Sequence, residues 1–260
     1  MHPELEDSLL YWHDQFVTSV QLELRIVRGL RPHLGVEVAL PLRMVRSRIQ
    51  FEDAARQPFT PPSPDTHHRN ETLTHWGDPR VGLQWAHVWA PWTWTGSAGV
   101  SIPLGRTEEN PFALGREGLT HQHIQFGTGT VDPYVGLSAS RRLGRYALAL
   151  DAFARFTLSE NAKGYRAGDR LSASTSLART RGPWSARAGF DVAHEAAERW
   201  GGVLETEGNL GRTDWYGSLG VARRVSRVGT LGLTVRTSLL SRAGGEQARL
   251  PFVLQVSATR

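Results

Sequence analysis

The sequence predicts an all-β protein, a transmembrane antiparallel up-and-down β-barrel of about 12 strands that takes up residues 1–260 as a single domain. Three observations support this prediction: apolar and polar residues alternate, short turns alternate with long polar loops, and aromatic residues gather near strand ends. All apolar stretches are strand-sized, below the roughly 18 residues of a membrane helix. Insertion into a bilayer would therefore require a closed barrel.

The alternation is clearest in the first hairpin. Even-numbered positions are mainly apolar between residues 15 and 27, and the same period of two returns between residues 34 and 44. Strands with one lipid-facing side and one lumen-facing side show this period. The same pattern predicts nine further strands, near 81–85, 94–104, 135–139, 146–158, 171–177, 184–192, 215–221, 231–239 and 250–258.

The connections between these strands alternate in length. Short turns are predicted near 28–32, 88–91, 142–145, 180–183 and 224–228, and long loops near 47–75, 105–123, 159–169, 194–209 and 241–249. Transmembrane barrels have short periplasmic turns and longer outer loops. With both termini in the periplasm, the strand at Gln15 would need a strand before it. Residues 5–13 are the candidate and bring the count to twelve.

Aromatic residues indicate two girdles. Tyr146 and Phe156 share one strand face ten residues apart, which corresponds to a climb of roughly 25 Å, the height of a barrel's apolar band. One group lies near the short turns: Trp85, Trp92, Trp94, Tyr146 and Trp184. The other lies near the long loops: Phe16, Phe156, Phe190 and Phe252. A soluble β-sandwich, which also buries aromatic residues at strand ends, is the alternative.

A short repeat marks strand boundaries. Asp78-Pro-Arg-Val-Gly-Leu83 returns as Asp132-Pro-Tyr-Val-Gly-Leu137, and each copy is predicted to open a strand. Pro41 and Pro103 are predicted to close the strands before the first two long loops. Proline cannot donate to a strand ladder and is tolerated at strand ends.

Composition excludes several classes of function. The chain has no cysteine, which excludes disulfides and thiolate chemistry, and its net charge of +5 comes from arginines, with Lys163 as the single lysine. The arginines are scattered along strands or paired at turns and form no stripe, which argues against nucleic-acid binding. The amino terminus lacks a secretory signal, so we expect that an outer-membrane form would be a mature or truncated chain.

Three stretches, 67–85, 100–111 and 121–144, resemble bacterial outer-membrane transporter-like proteins, most closely the broad group named for the MetA pathway of phenol degradation. The resemblance implies a barrel that passes small, often aromatic or hydrophobic, molecules across the outer membrane. It also implies outer-membrane lipid and the barrel assembly machinery as partners. The chain departs from the usual pattern by ending in Arg260 where such barrels present an aromatic residue.

The alternation places a set of polar and charged residues on the interior face. They are Glu23, Arg25, Glu37, Arg43, Arg80, Gln84, Asp151, Arg155, Arg187, Asp191 and Arg236. Facing lipid, each charge would cost roughly 2–4 kcal/mol near the midplane. These residues form either a salt-bridged filling or the lining of a narrow pore whose arginine excess favours anions or polarisable aromatic solutes.

Histidines in the loops are a candidate metal site. His67, His68, His121 and His123 could bind zinc, copper or nickel if the first two long loops fold together, although their spacing has no fixed ligand geometry. Solvated loop histidines are the alternative, and no cofactor is predicted. The first loop also has a stiff, proline-rich segment at 58–64, which could form a lid over the barrel mouth.

The predicted function is passive passage of small molecules by a non-enzymatic barrel. An outer-membrane hydrolase is an alternative, with His121, His123, Asp65 and Asp132 as rim residues, but no nucleophile motif supports it. A structural or adhesive barrel is a third possibility. The sequence leaves the substrate and the oligomeric state open.

Overall fold

The computed structural model describes residues 3–6, 9–61, 69–225, 229–245 and 250–259, with side chains from residue 12 onward. In these ranges the chain is almost entirely β-structure. The strands and the helix are β1 (Pro3–Glu6), β2 (Leu9–Arg31), β3 (Leu34–Glu52), β4 (Glu71–Trp76), β5 (Arg80–Trp89), β6 (Trp92–Ser101), α1 (Pro111–Arg116), β7 (Asp132–Leu143), β8 (Tyr146–Arg155), β9 (Tyr165–Arg166), β10 (Arg170–Arg181), β11 (Trp184–Glu195), β12 (Arg199–Trp200), β13 (Arg212–Val225), β14 (Gly229–Ala243) and β15 (Phe252–Thr259).

Neighbouring strands in the chain pair antiparallel, as an up-and-down topology requires. The main sheet has the order β1-β2-β3-β5-β6-β7-β8-β10-β11-β13-β14-β15. β4 pairs with the far half of β3, and β9 and β12 form a separate two-stranded sheet in the loops. No helix in the described part of the chain has the length and apolar character needed to span a bilayer.

The main sheet curls into an incomplete barrel. Tyr134 Oη on β7 donates to Glu37 Oε1 on β3 over 2.9 Å, although β5 and β6 lie between these strands in the sheet. Arg25 on β2 and Arg236 on β14, near opposite ends of the strand order, line one cavity. Among the described residues no ladder joins β2 to β15, and β1 covers only Leu9–Trp12 of the β2 edge, so both strands keep open edges. The predicted barrel curvature is present, and hydrogen-bonded closure is not seen in this part of the chain.

The two ends of the barrel differ, as the sequence predicts. Tight turns join β2 to β3, β5 to β6, β7 to β8 and β10 to β11 at the short-turn end. Gly144 and Gly182 occupy two of these turns with φ of 61° and 59°, the left-handed conformation that two-residue hairpins favour. The opposite, long-loop end has the connections 102–131, 156–169 and 196–211, together with the described parts of the loops after β3 and β14.

The prediction of a separate transmembrane strand at residues 5–13 is wrong. Residues 9–13 continue β2 without a break, and Pro3–Glu6 pairs back on Leu9–Trp12 as a short hairpin. The alternation of Gln15–Val27 simply extends upstream, because β3 is long enough to pair with β2 from Leu34 to Glu52.

Pro41 does not close its strand either. β3 runs past it to Glu52, with β5 paired to Leu34–Ala39 and β4 paired to Leu42–Ser47. Pro41 lies in the gap between these two ladders, where the strand needs no amide donor towards that side. Its carbonyl accepts from the Gly77 amide at 2.9 Å.

The outer face of the sheet is apolar and exposed. Leu22, Leu219 and Val256 keep 66%, 70% and 76% of their surface accessible. The girdle residues Trp85, Tyr146, Trp184, Phe16, Phe156, Phe190 and Phe252 are also exposed. A soluble sandwich would cover such a face with a second sheet, whereas a barrel presents it to lipid.

Candidate functional site

The concave face of the sheet carries all eleven residues predicted to face the interior. Residues that face each other in the ladders lie on the same side of the sheet. For example, Ser138, Asp151, Ser174 and Asp191 form one continuous row across four strands. The structure brings several of the eleven together as ion pairs: Arg25 with Glu37, Arg80 with Glu23, and Arg236 with Asp191. Their role in lining a pore stays a prediction.

One side of the interior is filled with large side chains. We call the inner face of β2, β3, β5 and the start of β7 the filled wall. Glu37 is its centre: it accepts hydrogen bonds from Arg25 and Tyr134 and is only 6% exposed. Tyr134 in turn stacks on Phe153 with ring centroids 5.7 Å apart.

The second ion pair of the filled wall links β5 to β2. Arg80 Nη2 lies 2.8 Å from Glu23 Oε2, and its guanidinium lies over the ring of Phe153 at 5.6 Å. Gly82 makes room for this packing, because a Cβ there would lie 2.3 Å from Tyr134 Oη and 2.6 Å from the Ala98 carbonyl oxygen.

The other side of the interior is lined by small residues. We call the inner face of β8, β10, β11, β13 and β14 the open wall, except for the inner residues next to the long loops. Asp151 accepts from Ser138 at 2.7 Å and Ser174 at 3.3 Å, and Arg236 lies 3.7 Å from Asp191. A cavity of about 330 Å³ lies against this wall and reaches Arg25 and Gln84 on the far side. Arg187 donates to Thr234 at 3.5 Å below it.

A row of charged residues lies at the top of the interior, next to the long loops. In register across the strands it runs Tyr134, Arg155, Arg170, Glu195 and Arg212. Arg170 pairs with Glu195 at 3.1 Å, and Arg155 Nε lies 3.9 Å from Asp132. Arg43 Nη1 on β3 donates to the Gln125 carbonyl at 3.5 Å. Arg212 Nε lies 2.7 Å from Asp214 Oδ2, so each of the three arginines in this row has a carboxylate partner.

Three long loops pack together above this row and form a cap. Phe112 of α1, Tyr165 and Ala167 near β9, and Trp200 of β12 make one buried apolar cluster. The side chain of Asn110 caps α1 by accepting from the Phe112 and Ala113 amides. Because the cluster draws on 102–131, 156–169 and 196–211 together, these loops form one body.

Ion pairs at the edges of the cap join the same loops. Arg116 Nη1 lies 3.4 Å from Glu205 Oε1, and Lys163 Nζ lies 3.1 Å from Glu109 Oε1. Lys163 Nζ also donates to the Thr107 carbonyl at 2.7 Å.

The two copies of the Asp-Pro-x-Val-Gly-Leu repeat anchor the cap to the barrel. Asp78 Oδ1 accepts from the Gly105 amide at 2.8 Å, and Oδ2 accepts from the Thr128 amide at 2.7 Å. Asp132 Oδ1 accepts from Thr130 Oγ1 at 2.6 Å. Sequence reasoning missed these anchors and treated the repeat as a boundary marker, although an aspartate before proline at two strand starts was the available signal.

Burial alters the ionisation of two groups within the cap. It raises the pKa of the Glu198 carboxyl, although the hydrogen bond from the Asn209 amide partly offsets this effect. Burial also raises the pKa of the Tyr165 phenol. Burial therefore disfavours the charged form of both side chains inside the cap.

The predicted metal ligands are only partly within the described structure. His67, His68 and Asp65 lie outside the described residues. His121 and His123 are close, with ring centroids 5.1 Å apart, and His121 Nδ1 lies 2.8 Å from the Leu119 carbonyl. Among the described residues no group of three or more His, Cys, Asp or Glu side chains could hold a metal ion.

The rim residues proposed for hydrolysis are engaged in the loop structure. Asp132 is fully buried between Thr130 and Arg155, and the His121 carbonyl accepts from Arg69 at 3.1 Å. The proline-rich segment 58–64 is described only as far as residue 61.

Comparison with known proteins gives a likeness in structure alone. No family model and no curated protein matches the sequence. An outer membrane channel from Pseudomonas putida F1 is similar, with a TM-score of 0.60 at 12% identity over 93% of this chain and 82% of that one. A loop L8 deletion mutant of OmpT, an outer membrane protein of Vibrio cholerae, gives a TM-score of 0.44 at 6% identity over 89% of this chain and 94% of that one, too low to bear on the fold.

The chain therefore has the fold of the β-barrels of the bacterial outer membrane, in agreement with its apolar, exposed outer face. The narrower resemblance to the phenol-degradation group stays a prediction.

Proposed function

We infer that the protein is an outer-membrane channel that lets small polar or anionic molecules cross passively. The observation that carries this proposal is the cavity of about 330 Å³ inside the curled sheet, lined from β2 to β14 by serines, carboxylates and arginines. A polar interior behind an apolar outer face is the arrangement of a barrel that conducts solute. The P. putida channel of similar fold supports the same function.

The interior charges favour anions. The three arginines of the top row are each paired with a carboxylate: Arg155 with Asp132, Arg170 with Glu195 and Arg212 with Asp214. The excess of positive charge on the inner face comes instead from Arg43 and Arg187, which have no carboxylate partner within 4.0 Å among the described residues and are opposed only by the unpaired Asp151. Rings of arginine select anions in pores because they lower the energy of a negative solute in the narrow part. Phe153 of β8 adds aromatic surface to the cavity, which suits small aromatic acids.

A conducting barrel needs closed edges, because a bilayer offers no hydrogen-bond partner to an exposed strand. The proposal therefore requires that β2 and β15 are paired when the protein is in the membrane. Heat-modifiable migration of the detergent-extracted protein tests this requirement, since closed barrels resist unfolding until heated. A protein recovered in the soluble fraction, with the same migration before and after heating, would exclude an outer-membrane barrel.

Planar-bilayer recording tests the channel itself. We expect discrete current steps and a reversal potential in a salt gradient that shows anion preference. The double variant R155Q/R170Q should shift this potential towards cations, while R116Q, which removes an arginine from the cap, should leave it nearly unchanged. Absence of both ion current and solute flux from a heat-modifiable protein would overturn the channel proposal.

A further inference from the structure

We propose that the short-turn end of the barrel carries a binding belt for anionic phospholipid headgroups, built from arginines stacked on aromatic rings. This inference does not depend on transport, only on the location of the barrel in a membrane. It rests on three contacts on the outer face: Arg141 over Trp92 at 5.9 Å, Arg179 over Tyr146 at 5.9 Å, and Arg223 over Trp184 at 5.2 Å.

The three pairs are one motif repeated along the sheet. Trp92, Tyr146 and Trp184 are each the first residue of the strand that follows a short turn. Each faces its arginine directly across the ladder to the next strand: β6 to β7, β8 to β10, and β11 to β13. These six strands are consecutive in the sheet, so a pair recurs every second strand, about 10 Å apart around the barrel.

The hairpin segments of the short-turn end carry positive side chains and no negative ones. The hairpin segments 26–36, 85–95, 139–149, 177–188 and 220–233 contain no aspartate or glutamate. Their arginines are Arg28, Arg31, Arg141, Arg142, Arg145, Arg179, Arg181, Arg187, Arg223, Arg224 and Arg227. The carboxylates that balance the chain are concentrated at the long-loop end and in the interior. The short-turn end therefore presents unbalanced positive charge to an anionic partner.

The position of the pairs points to lipid as that partner. They lie where the exposed apolar face meets the turns, the level at which aromatic rings locate in the interface of a bilayer. A guanidinium held over a ring keeps its in-plane N–H groups directed outward and can donate two of them to a phosphate.

Arginine–aromatic contacts also occur at the other end, without the same arrangement. Arg242 lies 5.8 Å from the Trp215 ring, and Arg56 of the loop after β3 lies 4.2 Å from the Trp12 ring. Neither arginine faces its ring directly across a ladder, so the repeated cross-strand motif is absent from this end among the described residues. The belt is therefore a property of the short-turn end, which the barrel topology places in the periplasmic leaflet.

The experiment measures lipid selectivity of the folded protein. The full chain is reconstituted into phosphatidylcholine vesicles, and the fraction of motionally restricted spin-labelled lipid is compared for phosphatidylglycerol and phosphatidylcholine. We expect phosphatidylglycerol to associate about threefold more strongly, and this preference to fall in high salt because it is electrostatic. Equal association of the two lipids would overturn the proposal.

Two triple variants locate the binding. R141Q/R179Q/R223Q should lose most of the preference, whereas R46Q/R48Q/R199Q, which removes the same charge at the long-loop end, should keep it. Heat-modifiable migration shows that both variants are folded. Equal loss in both variants would reduce the effect to net charge and contradict a belt. Inorganic phosphate at millimolar concentration should not abolish the preference; if it does, the arginines bind free phosphate and the lipid proposal fails.

Discussion

The filled wall and the open wall are built from the same alternating strands and differ in what the inner positions hold. On the filled wall, long charged and aromatic side chains reach across strands and satisfy one another, leaving Tyr134 only 2% exposed. On the open wall the matching rows carry serine, alanine and glycine, with Asp151 and Asp191 facing the cavity. Tight packing on the filled wall fixes the shape of the barrel, and small side chains on the open wall leave the space that the proposed solute route requires.

The largest effect on stability is expected from filling a gap that the filled wall requires. Gly82→Ala places a methyl group where Tyr134 Oη and the Ala98 carbonyl leave no space. We expect the free energy of unfolding to fall by about 3 kcal/mol, the upper part of the range for overpacking. Urea titration in detergent micelles, followed by tryptophan fluorescence, measures it.

Gly220→Ala is the matched change on the open wall. Its new Cβ would meet the Thr234 hydroxyl at 2.8 Å, the end of a side chain that can rotate away, so it should cost less than 1 kcal/mol. Equal costs at both glycines would remove the distinction between the walls.

The second effect comes from the carboxylate at the centre of the filled wall. Glu37→Ala leaves Arg25 and the buried Tyr134 hydroxyl without their shared acceptor, and we expect a loss of about 2 kcal/mol. Asp191→Ala on the open wall removes a partner 3.7 Å from Arg236 and should cost about 1 kcal/mol or less. The same urea titration measures the free energy of unfolding of both variants. A larger loss for Asp191→Ala than for Glu37→Ala would contradict the tighter packing of the filled wall.

Most of the fold could be predicted from the strand pattern, because a period of two depends only on residues that are close in the sequence. Eleven strands and the alternation of turns and loops could be predicted, since each face of a barrel strand meets one environment. The errors at residues 5–13 and at Pro41 have another cause. Where a strand ends depends on how far its neighbour extends, and β3 continues to Glu52, with β4 as its partner beyond Pro41.

The alternation predicted which face of the sheet the site residues lie on. It did not predict which of them are packed and which face the cavity. Parity assigned Glu37 and Asp151 to the same inner face, but it gave no sign that one is packed under Tyr134 and the other faces a cavity. That difference arises from contacts between strands that are not neighbours in the sheet, which only curvature creates. The anchors at Asp78 and Asp132 also depend on loop conformations that have no periodic pattern.

A smaller effect is expected from pH, at the cap above the open wall. Because burial raises the pKa of Glu198, the folded cap keeps this carboxyl protonated at pH values where the unfolded chain has ionised it. The protonated carboxyl stabilises the folded cap fully below the unfolded pKa of about 4. This stabilisation is lost as the pH rises through the folded pKa. Amide exchange in 196–211, corrected for intrinsic rates, should therefore be slower at acidic pH than at neutral pH.

Glu198→Gln should keep the slow exchange at both pH values, because the amide cannot ionise. The Gly105 amide, which donates to Asp78, serves as the internal reference in the same exchange measurement. If the variant retained the pH dependence of the wild type, the effect would have to come from another group in the cap.

The smallest effect on stability is expected where the open wall faces the cavity. Ser174→Phe adds a ring to free space beside Asp151, so the free energy of unfolding should change by no more than about 0.5 kcal/mol, as for an exposed position. The single-channel conductance should nevertheless fall, because the ring occupies the proposed route. Thr175→Phe, the next residue on the same strand, points to the outer face and should leave conductance unchanged. A normal conductance in Ser174→Phe would place the solute route elsewhere, and a large loss of stability would show that the open wall is packed as tightly as the filled one.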